Sequence, residues 1–391
     1  MTTLNQYLTS KASFRDSGSG RMKSVRLGVI GLGSMGAQHA RSIIEKKVGR
    51  CSLAAVANPN PVPAAAFDSS VCKFNDSNEL IKSGACDAVL IATPHYCHTT
   101  IGIAALKLGL HVLVEKPISV HKADCEKLIA AYGRKKQVFA AMFNQRADPR
   151  YKAIKRLVAG GELGSIQRFN FTATTWFRSE AYYASGGWRA TWVGEGGGVL
   201  LNQAPHQLDL LQWIFGMPRR VFANCGLGKR HQIEVEDEVT ACLEYANGAT
   251  GVFVTSTGEA PGVNRLEIAG DLGKVVLEDN TLLFSRNAVA ASVFCKTSKL
   301  PFATPTSTTV EIPVKGNGGQ HIEMIQNFVD AILDGVPLIA PAREGINSVE
   351  LANAMLYSSL KGSPVELPLN GRAYKRVLDG LIAGSKSKKT G

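Results

Sequence analysis

Ser24-Val25-Arg26-Leu27-Gly28-Val29-Ile30-Gly31-Leu32-Gly33-Ser34-Met35-Gly36, residues 24–36, is the stretch that decides the fold. The apolar run reads as a strand buried on both faces, and residues 35–47 read as the helix that follows it. Gly31 permits the tight turn between them, Gly33 lets backbone approach a pyrophosphate, and Gly36 lets the helix pack closely on the strand. The helix start, with Ser34 and Met35, offers unpaired N–H groups and a partial positive charge to phosphates. The motif therefore predicts a dinucleotide site.

Working outward, short apolar strands alternate with helical segments up to residue 143. The strands are 52–57, 87–92, 111–115 and 138–143; the helices are one beginning at 61–67, then 98–108 and 121–134. This alternation predicts an α/β Rossmann domain, a doubly wound parallel sheet, over 24–145. After Arg146 the grammar changes to a helix at 149–159 and long strands of polar alternation, interrupted by a helix over 198–215. Two more helices are expected at 320–334 and 342–360, and residues 286–309 read as a long loop or irregular hairpin. The expectation for 146–370 is an α+β domain with a large open, mostly antiparallel sheet, for substrate binding and self-association. Residues 1–23 read as a flexible leader and 371–391 as a basic tail.

Composition narrows the function classes. The 391 residues carry a formal charge of +12. Residues 1–24 hold four basic groups against Asp16, and residues 371–391 hold six against Asp379, so most of the excess is terminal. The near-balanced middle calls for no nucleic-acid partner. No apolar run reaches membrane-spanning length, and the N-terminus lacks the apolar core of a secretory signal. The eight cysteines contain no CxxC pair. Reduced thiols in a cytoplasmic protein are the expectation, with no metal site.

Candidate site residues fall where strands end. Asn58 follows the second strand, where an acidic residue would hold the adenosine ribose. Its amide reaches a hydroxyl without repelling a 2′-phosphate, and no Arg or Lys follows closely, which favours NAD while leaving NADP open. Glu115-Lys116-Pro117 follows the strand 111–114, and a partly desolvated lysine there can shuttle a proton. In Gly196-Gly197-Gly198-Val199-Leu200-Leu201-Asn202-Gln203-Ala204-Pro205-His206-Gln207-Leu208-Asp209, the spacing of Asn202, His206 and Asp209 can place them on one helix face. A core role for His206 and a packing role for Asp209 are the alternative. The segment 176–192 gathers Trp176, Tyr182, Tyr183, Trp188 and Trp192 with Arg178 and Arg189. Its aromatic faces suit pyranose C–H faces and its arginines suit hydroxyls or a carboxylate; hydrophobic packing or a subunit contact is the other reading. Arg146 either lines the crevice between domains or forms a structural ion pair.

Taken in order, GLGSMG, IATPHYCH, HVLVEKPIS and GGGVLLNQAPHQLDLLQW resemble the glucose–fructose oxidoreductase/inositol dehydrogenase (Gfo/Idh/MocA) family. The resemblance spans about residues 24–365. It implies NAD(P)-dependent oxidation or reduction of sugars, polyols and their derivatives, and homodimers or homotetramers formed through the C-terminal sheet. It places Lys116 at the reacting hydroxyl and His206 in the acid–base role. Thr93 and Pro94 fall over the cofactor ribose, Glu115 falls near the nicotinamide ribose, and His98 of the same IATPHYCH segment is assigned to the cofactor. Many members have Asp where this chain has Asn202; an amide binds a sugar hydroxyl but takes no proton, so His206 and Lys116 are left to move it. Asn202, Arg146, Trp176, Trp188, Arg189 and Asp209 are the expected substrate contacts. The leading expectation is a dehydrogenase or reductase of a sugar, cyclitol or glycoside. An NAD-retaining glycosidase and a non-catalytic cofactor-sensing regulator are the alternatives.

Overall fold

The computed structural model describes residues 23–60, 66–133 and 137–385. The first sheet is built from β1 (Val25–Ile30), β2 (Cys51–Ala57), β3 (Cys72–Phe74), β4 (Ala88–Ile91), β5 (His111–Val114) and β6 (Phe139–Ala141). Its order is β3-β2-β1-β4-β5-β6, every pairing parallel. Helices α1 (Ser34–Ile44), α2 (Ser77–Lys82), α3 (His95–Lys107) and α4 (Lys122–Tyr132) connect the strands. The order reverses between β1 and β4, which opens a crevice at their carboxyl ends. Val25, Leu27 and Val29 of β1 and all four residues of β4 are buried, as strands covered on both faces must be.

The second sheet has nine strands. They are β7 (Ile166–Ala173), β8 (Arg220–Leu227), β9 (Glu236–Glu244), β10 (Thr250–Ser256), β11 (Asn264–Gly270), β12 (Gly273–Glu278), β13 (Thr281–Asn287), β14 (Ser307–Glu311) and β15 (Val365–Glu366). All pairs are antiparallel except β7 with β10. One face is covered by α5 (Pro149–Ala159), α7 (Pro205–Phe215) and α10 (Gly345–Lys361). Phe169 and Phe171 of β7, Leu243 of β9, Phe253 of β10 and Ile268 of β11 point into that core. The opposite face carries alternating exposed residues, including Phe222 and Leu283. The remaining helices are α6 (Glu180–Ala184), α8 (Ala291–Thr297), α9 (Gln320–Asp334) and α11 (Gly371–Ala383).

Several boundaries differ from the sequence expectation. The helix expected over 198–215 begins only at Pro205, because the Gly196–Gly198 run packs against β9 too closely for ordinary helix. A Cβ on Gly198 would stand 1.9 Å from the Glu236 carbonyl oxygen. Residues 286–309 contain α8 and the start of β14, and β3 and α2 are short elements with no strong pattern of their own. The chain also crosses back: Met324, Ile325, Phe328 and Val329 of α9 belong to the core of the parallel sheet, so 146–370 does not pack as one contiguous body. Nor are residues 371–383 a tail. They form α11, capped by the Asn370 side chain on the Ala373 amide at 3.0 Å, with Tyr374 and Leu378 buried against the core. The basic residues of that stretch line the outer face of an amphipathic helix. The proposed leader up to Met22, the helix start expected over 61–65 and the last six residues lie outside the described residues.

Candidate active site

The crevice at the carboxyl ends of β1, β4 and β5 is made from the segments singled out above. Gly31 adopts φ +90°, a conformation that favours glycine. A Cβ on Gly36 would stand 1.8 Å from the Gly31 oxygen, whereas Gly33 faces open space. Helix α1 has no side-chain cap and no acidic residue in its first turn, which leaves its N–H groups to an outside anion. At the next strand end the Thr93 hydroxyl is buried without a hydrogen-bond partner among the described residues. An uncapped helix start, an open approach at Gly33 and an orphaned hydroxyl fit a dinucleotide.

Five of the expected contacts sit differently, two of them as a pair. Asn58 braces the glycine loop: its Oδ1 accepts from the Leu32 amide at 3.1 Å and its Nδ2 donates to the Asn60 carbonyl at 3.0 Å. Glu115 turns away from the crevice and lies 2.7 Å from His39 Nε2, while its other oxygen accepts from the Lys116 amide. Burial opposes its ionisation, but His39, Lys116 and His321 outweigh that and hold it at about 2. His98 is buried, each ring nitrogen 2.8 Å from a carbonyl oxygen, of Pro117 and of Thr93. Burial lowers its pKa while both carbonyls favour the proton-bearing ring. It ties the two loops together from behind.

Arg146 and Asp209 form the fourth correction and answer the alternative left open above. Both are 1% exposed and meet in a bidentate pair at 2.7 Å, completed by Glu344 at 2.5 Å and the Ile339 carbonyl at 3.2 Å. The pair clamps the segment after β6 to α7. Four of the five guanidinium N–H groups are spent on these partners, and both side chains are buried away from the crevice surface.

Lys116, Asn202 and His206 do converge. Lys116 Nζ donates to the Asn202 backbone carbonyl at 2.7 Å, which joins the loop after β5 to the entry of α7. Burial lowers the Lys116 pKa, with Glu115 and Glu195 opposing and Arg178 and Arg189 adding to the effect. His206 is held at about 3, by burial first and then by the Lys116 charge, and its Nδ1 has no partner among the described residues. Its ring stands edge-on to Phe143, with centroids 6.3 Å apart.

Around them lie two carboxylates that pattern alone did not assign, Glu195 and Glu236, and the side chains of segment 176–192. Glu195 accepts from the Ala190 amide at 2.6 Å and from the Asn202 amide group. Burial raises it to about 7. Glu236, also raised to about 7 by burial, accepts from the amides of Gly198 and Leu200 at 2.8 and 3.1 Å and so sets the glycine turn. The Tyr182 hydroxyl meets Arg189 Nη1 at 2.9 Å, Gln203 at 3.2 Å and Asn202 at 3.4 Å. Trp188, partly exposed, stacks on Arg189, and Trp176 lies beside Arg178. Glu195 stands in Gly194-Glu195-Gly196, where the only sequence signal is a charge inside a glycine-rich turn. Among the described residues no group of three His, Cys, Asp or Glu converges to hold a metal ion. No helix among them is long and apolar enough to cross a membrane.

Comparison with known proteins adds the family. Residues 25–143 match the family model described as oxidoreductase family, NAD-binding Rossmann fold, and residues 151–276 match the GFO/IDH/MocA C-terminal domain. Inositol 2-dehydrogenase 1 of Saccharopolyspora erythraea is 26% identical over 364 residues, covering 88% of this chain and 97% of that protein. Levoglucosan dehydrogenase of Pseudarthrobacter phenanthrenivorans is 25% identical, covering 89% and 99%. The WlbA dehydrogenase of Bordetella pertussis, solved with NADH and UDP-GlcNAcA, shares the fold with a TM-score of 0.74 at 23% identity, covering 89% of this chain and 100% of that one.

Proposed function

The chain belongs to the Gfo/Idh/MocA family of NAD-binding oxidoreductases, and from that premise we propose that it transfers a hydride between NAD and a secondary hydroxyl or carbonyl of a sugar or cyclitol, with Lys116 and His206 serving the reacting oxygen. The observation that carries this reading is the junction of Lys116 Nζ with the Asn202 carbonyl at 2.7 Å, beside a His206 ring whose Nδ1 is unpartnered. Relatives named as inositol and levoglucosan dehydrogenases support the substrate class.

The α1 N-terminus with Gly31, Gly33, Ser34, Met35 and Gly36 would hold the pyrophosphate, and Thr93 and Pro94 would lie along the nicotinamide half. When bound, NAD supplies the hydride acceptor or donor. The two proton-handling side chains then divide the work by their pKa directions. A histidine held at about 3 keeps no proton at neutral pH, so His206 is a poor final acceptor and acts through its free lone pair, accepting a hydrogen bond from the substrate hydroxyl. Lys116, its pKa lowered by burial, takes that proton in oxidation and returns it in carbonyl reduction. This proposed division is the reverse of the expected one, in which His206 is the base and Lys116 the polarising group. The Asn202 carbonyl aims the Lys116 amine in both directions.

Self-association as a dimer or tetramer through the outer face of the nine-stranded sheet belongs to the same reading, supported by exposed Phe222 and Leu283 on that face. A cytoplasmic location fits the eight free cysteines. The test is nicotinamide reduction followed by absorbance, with NAD and with NADP, against sugars, cyclitols and glycosides. The expected result is turnover with NAD on at least one of them. Absence of turnover on all of them, with NAD bound, would overturn the reading.

A further inference from the structure

Among the described residues, every arginine except two is either exposed or has a carboxylate within 4.0 Å. The buried or half-buried ones, Arg146, Arg150, Arg220 and Arg265, are all paired. The two exceptions are Arg178 and Arg189. Both are half-buried, and both lie within electrostatic reach of Lys116, where each lowers the lysine's pKa.

Their positions are fixed. Arg178 is anchored through its backbone, its amide donating to the Thr257 carbonyl at 2.8 Å and its carbonyl meeting His231 Nε2 at 2.8 Å. The two guanidinium carbons share one ring: Arg178 lies 5.0 Å and Arg189 4.7 Å from the Tyr182 centroid. Tyr182 in turn reaches Asn202, whose carbonyl holds Lys116. Few of the donors are used. Arg178 Nη1 donates to the neighbouring Phe177 carbonyl and Arg189 Nη1 to the Tyr182 hydroxyl. Arg178 Nε and the indole Nε1 of Trp176 are buried with no acceptor among the described residues.

Removing guanidinium groups from water without a counter-charge is costly, and leaving buried N–H donors unpaired adds to the cost. Glu195 acts electrostatically on Arg189 and Lys116 without forming an ion pair with either arginine, and burial raises it to about 7, so three cationic side chains and two orphaned donors still leave a place for an acceptor-rich anion. We propose that the substrate is an anionic sugar or cyclitol, whose carboxylate or phosphate is bound by Arg178 and Arg189 while its secondary hydroxyl lies at Lys116. The aromatic rings beside both guanidinium groups restrain the forks that an oxyanion would meet. This rests on the dehydrogenase reading above.

The test compares matched compounds that differ in charge: glucose, glucuronate and glucose 6-phosphate, with myo-inositol as a second neutral compound. KM is measured with NAD, and binding to the NADH-loaded protein is followed by calorimetry. Charge-assisted hydrogen bonds predict binding roughly 10- to 100-fold tighter for an anionic compound than for its neutral partner. Arg178→Gln and Arg189→Gln should each reduce that anionic-to-neutral ratio at least tenfold, with partial return in Arg178→Lys. Preference for glucuronate or for glucose 6-phosphate tells a carboxylate site from a phosphate site, and either supports the proposal. Equal or tighter binding of the neutral compounds, or a ratio that the Gln variants leave intact, overturns it. If nothing is oxidised, the dehydrogenase reading fails, while the calorimetric ratio still decides the question of charge.

Discussion

Two arginine environments within one molecule mark the difference between frame and site. Arg146 lies in the deep interior with both forks met by Asp209 and Glu344, and every guanidinium nitrogen has a partner. Arg178 and Arg189 lie half-buried on Tyr182 with no carboxylate partner among the described residues. On sequence alone Arg146, Arg189 and Asp209 stand alike among the expected substrate contacts. Only the count of partners separates them. A buried pair that is complete holds elements in place; a cluster of like charge with open donors awaits a ligand.

The sharpest way to break that distinction is at Lys116. Lys116→Ala should lower turnover by about 10²–10⁴-fold, the range for losing one acid–base group. NAD affinity and melting temperature should hardly move, because its one hydrogen bond to Asn202 is a small part of the fold. Loss of NAD binding along with turnover would show that Lys116 belongs to the frame.

Asp209→Ala tests the other side. Removing Asp209 leaves the buried guanidinium with Glu344 as its one carboxylate, and the expected cost is up to about 3–5 kcal/mol of stability by chemical denaturation. The folded fraction should still bind substrate with wild-type affinity. An Asp209→Ala protein of normal stability with weakened substrate binding would restore the spacing-based assignment.

How far the sequence carried this depends on what each residue touches. The β1–glycine–α1 unit was legible because local backbone geometry decides it: Gly31 needs φ +90° and Gly36 has no room for a Cβ. Lys116 and His206 were legible because they end a strand and open a helix. Glu115, His98 and Asn58 sat in the right segments yet turned to partners distant in sequence, such as His39, and no local pattern reports which way a side chain leaves a loop. The fold of α11 was hidden by counting its charges without their period, since its Lys and Arg residues face outward while Tyr374 and Leu378 face in. Glu195 and Glu236 were missed because an acidic residue in a loop or at a strand start reads as solvated until burial is known.

Glu236 gives a smaller and cleaner effect. It rises from 4.5 to about 7 through burial, so the folded state prefers the protonated carboxyl. The stability it contributes is fully present below its unfolded value and is lost as pH climbs through about 7, on the order of 3 kcal/mol at 1.4 kcal/mol per unit. Glu236→Gln keeps an acceptor for the Gly198 and Leu200 amides and carries no charge. Melting curves between pH 5 and 9 should converge at the acid end, with the variant the more stable at the alkaline end. Parallel curves would mean that Glu236 stays ionised throughout.

Glu195 brings the same titration into the pocket. Raised to about 7 by burial, it changes charge within the working range, and it opposes the lowering of Lys116 only while ionised. Above pH 7 the ionised carboxylate therefore holds Lys116 protonated more firmly; below it, the protonated acid lets the three cations repel more strongly. In Glu195→Gln that restraint is absent at every pH, so the Lys116 limb of the oxidation profile should move to lower pH by a few tenths of a unit. The variant should also oxidise slightly faster than wild type near pH 8. A limb that stays in place would separate Glu195 from the proton-handling groups and assign it to the frame, beside Glu236 and the Arg146 pair.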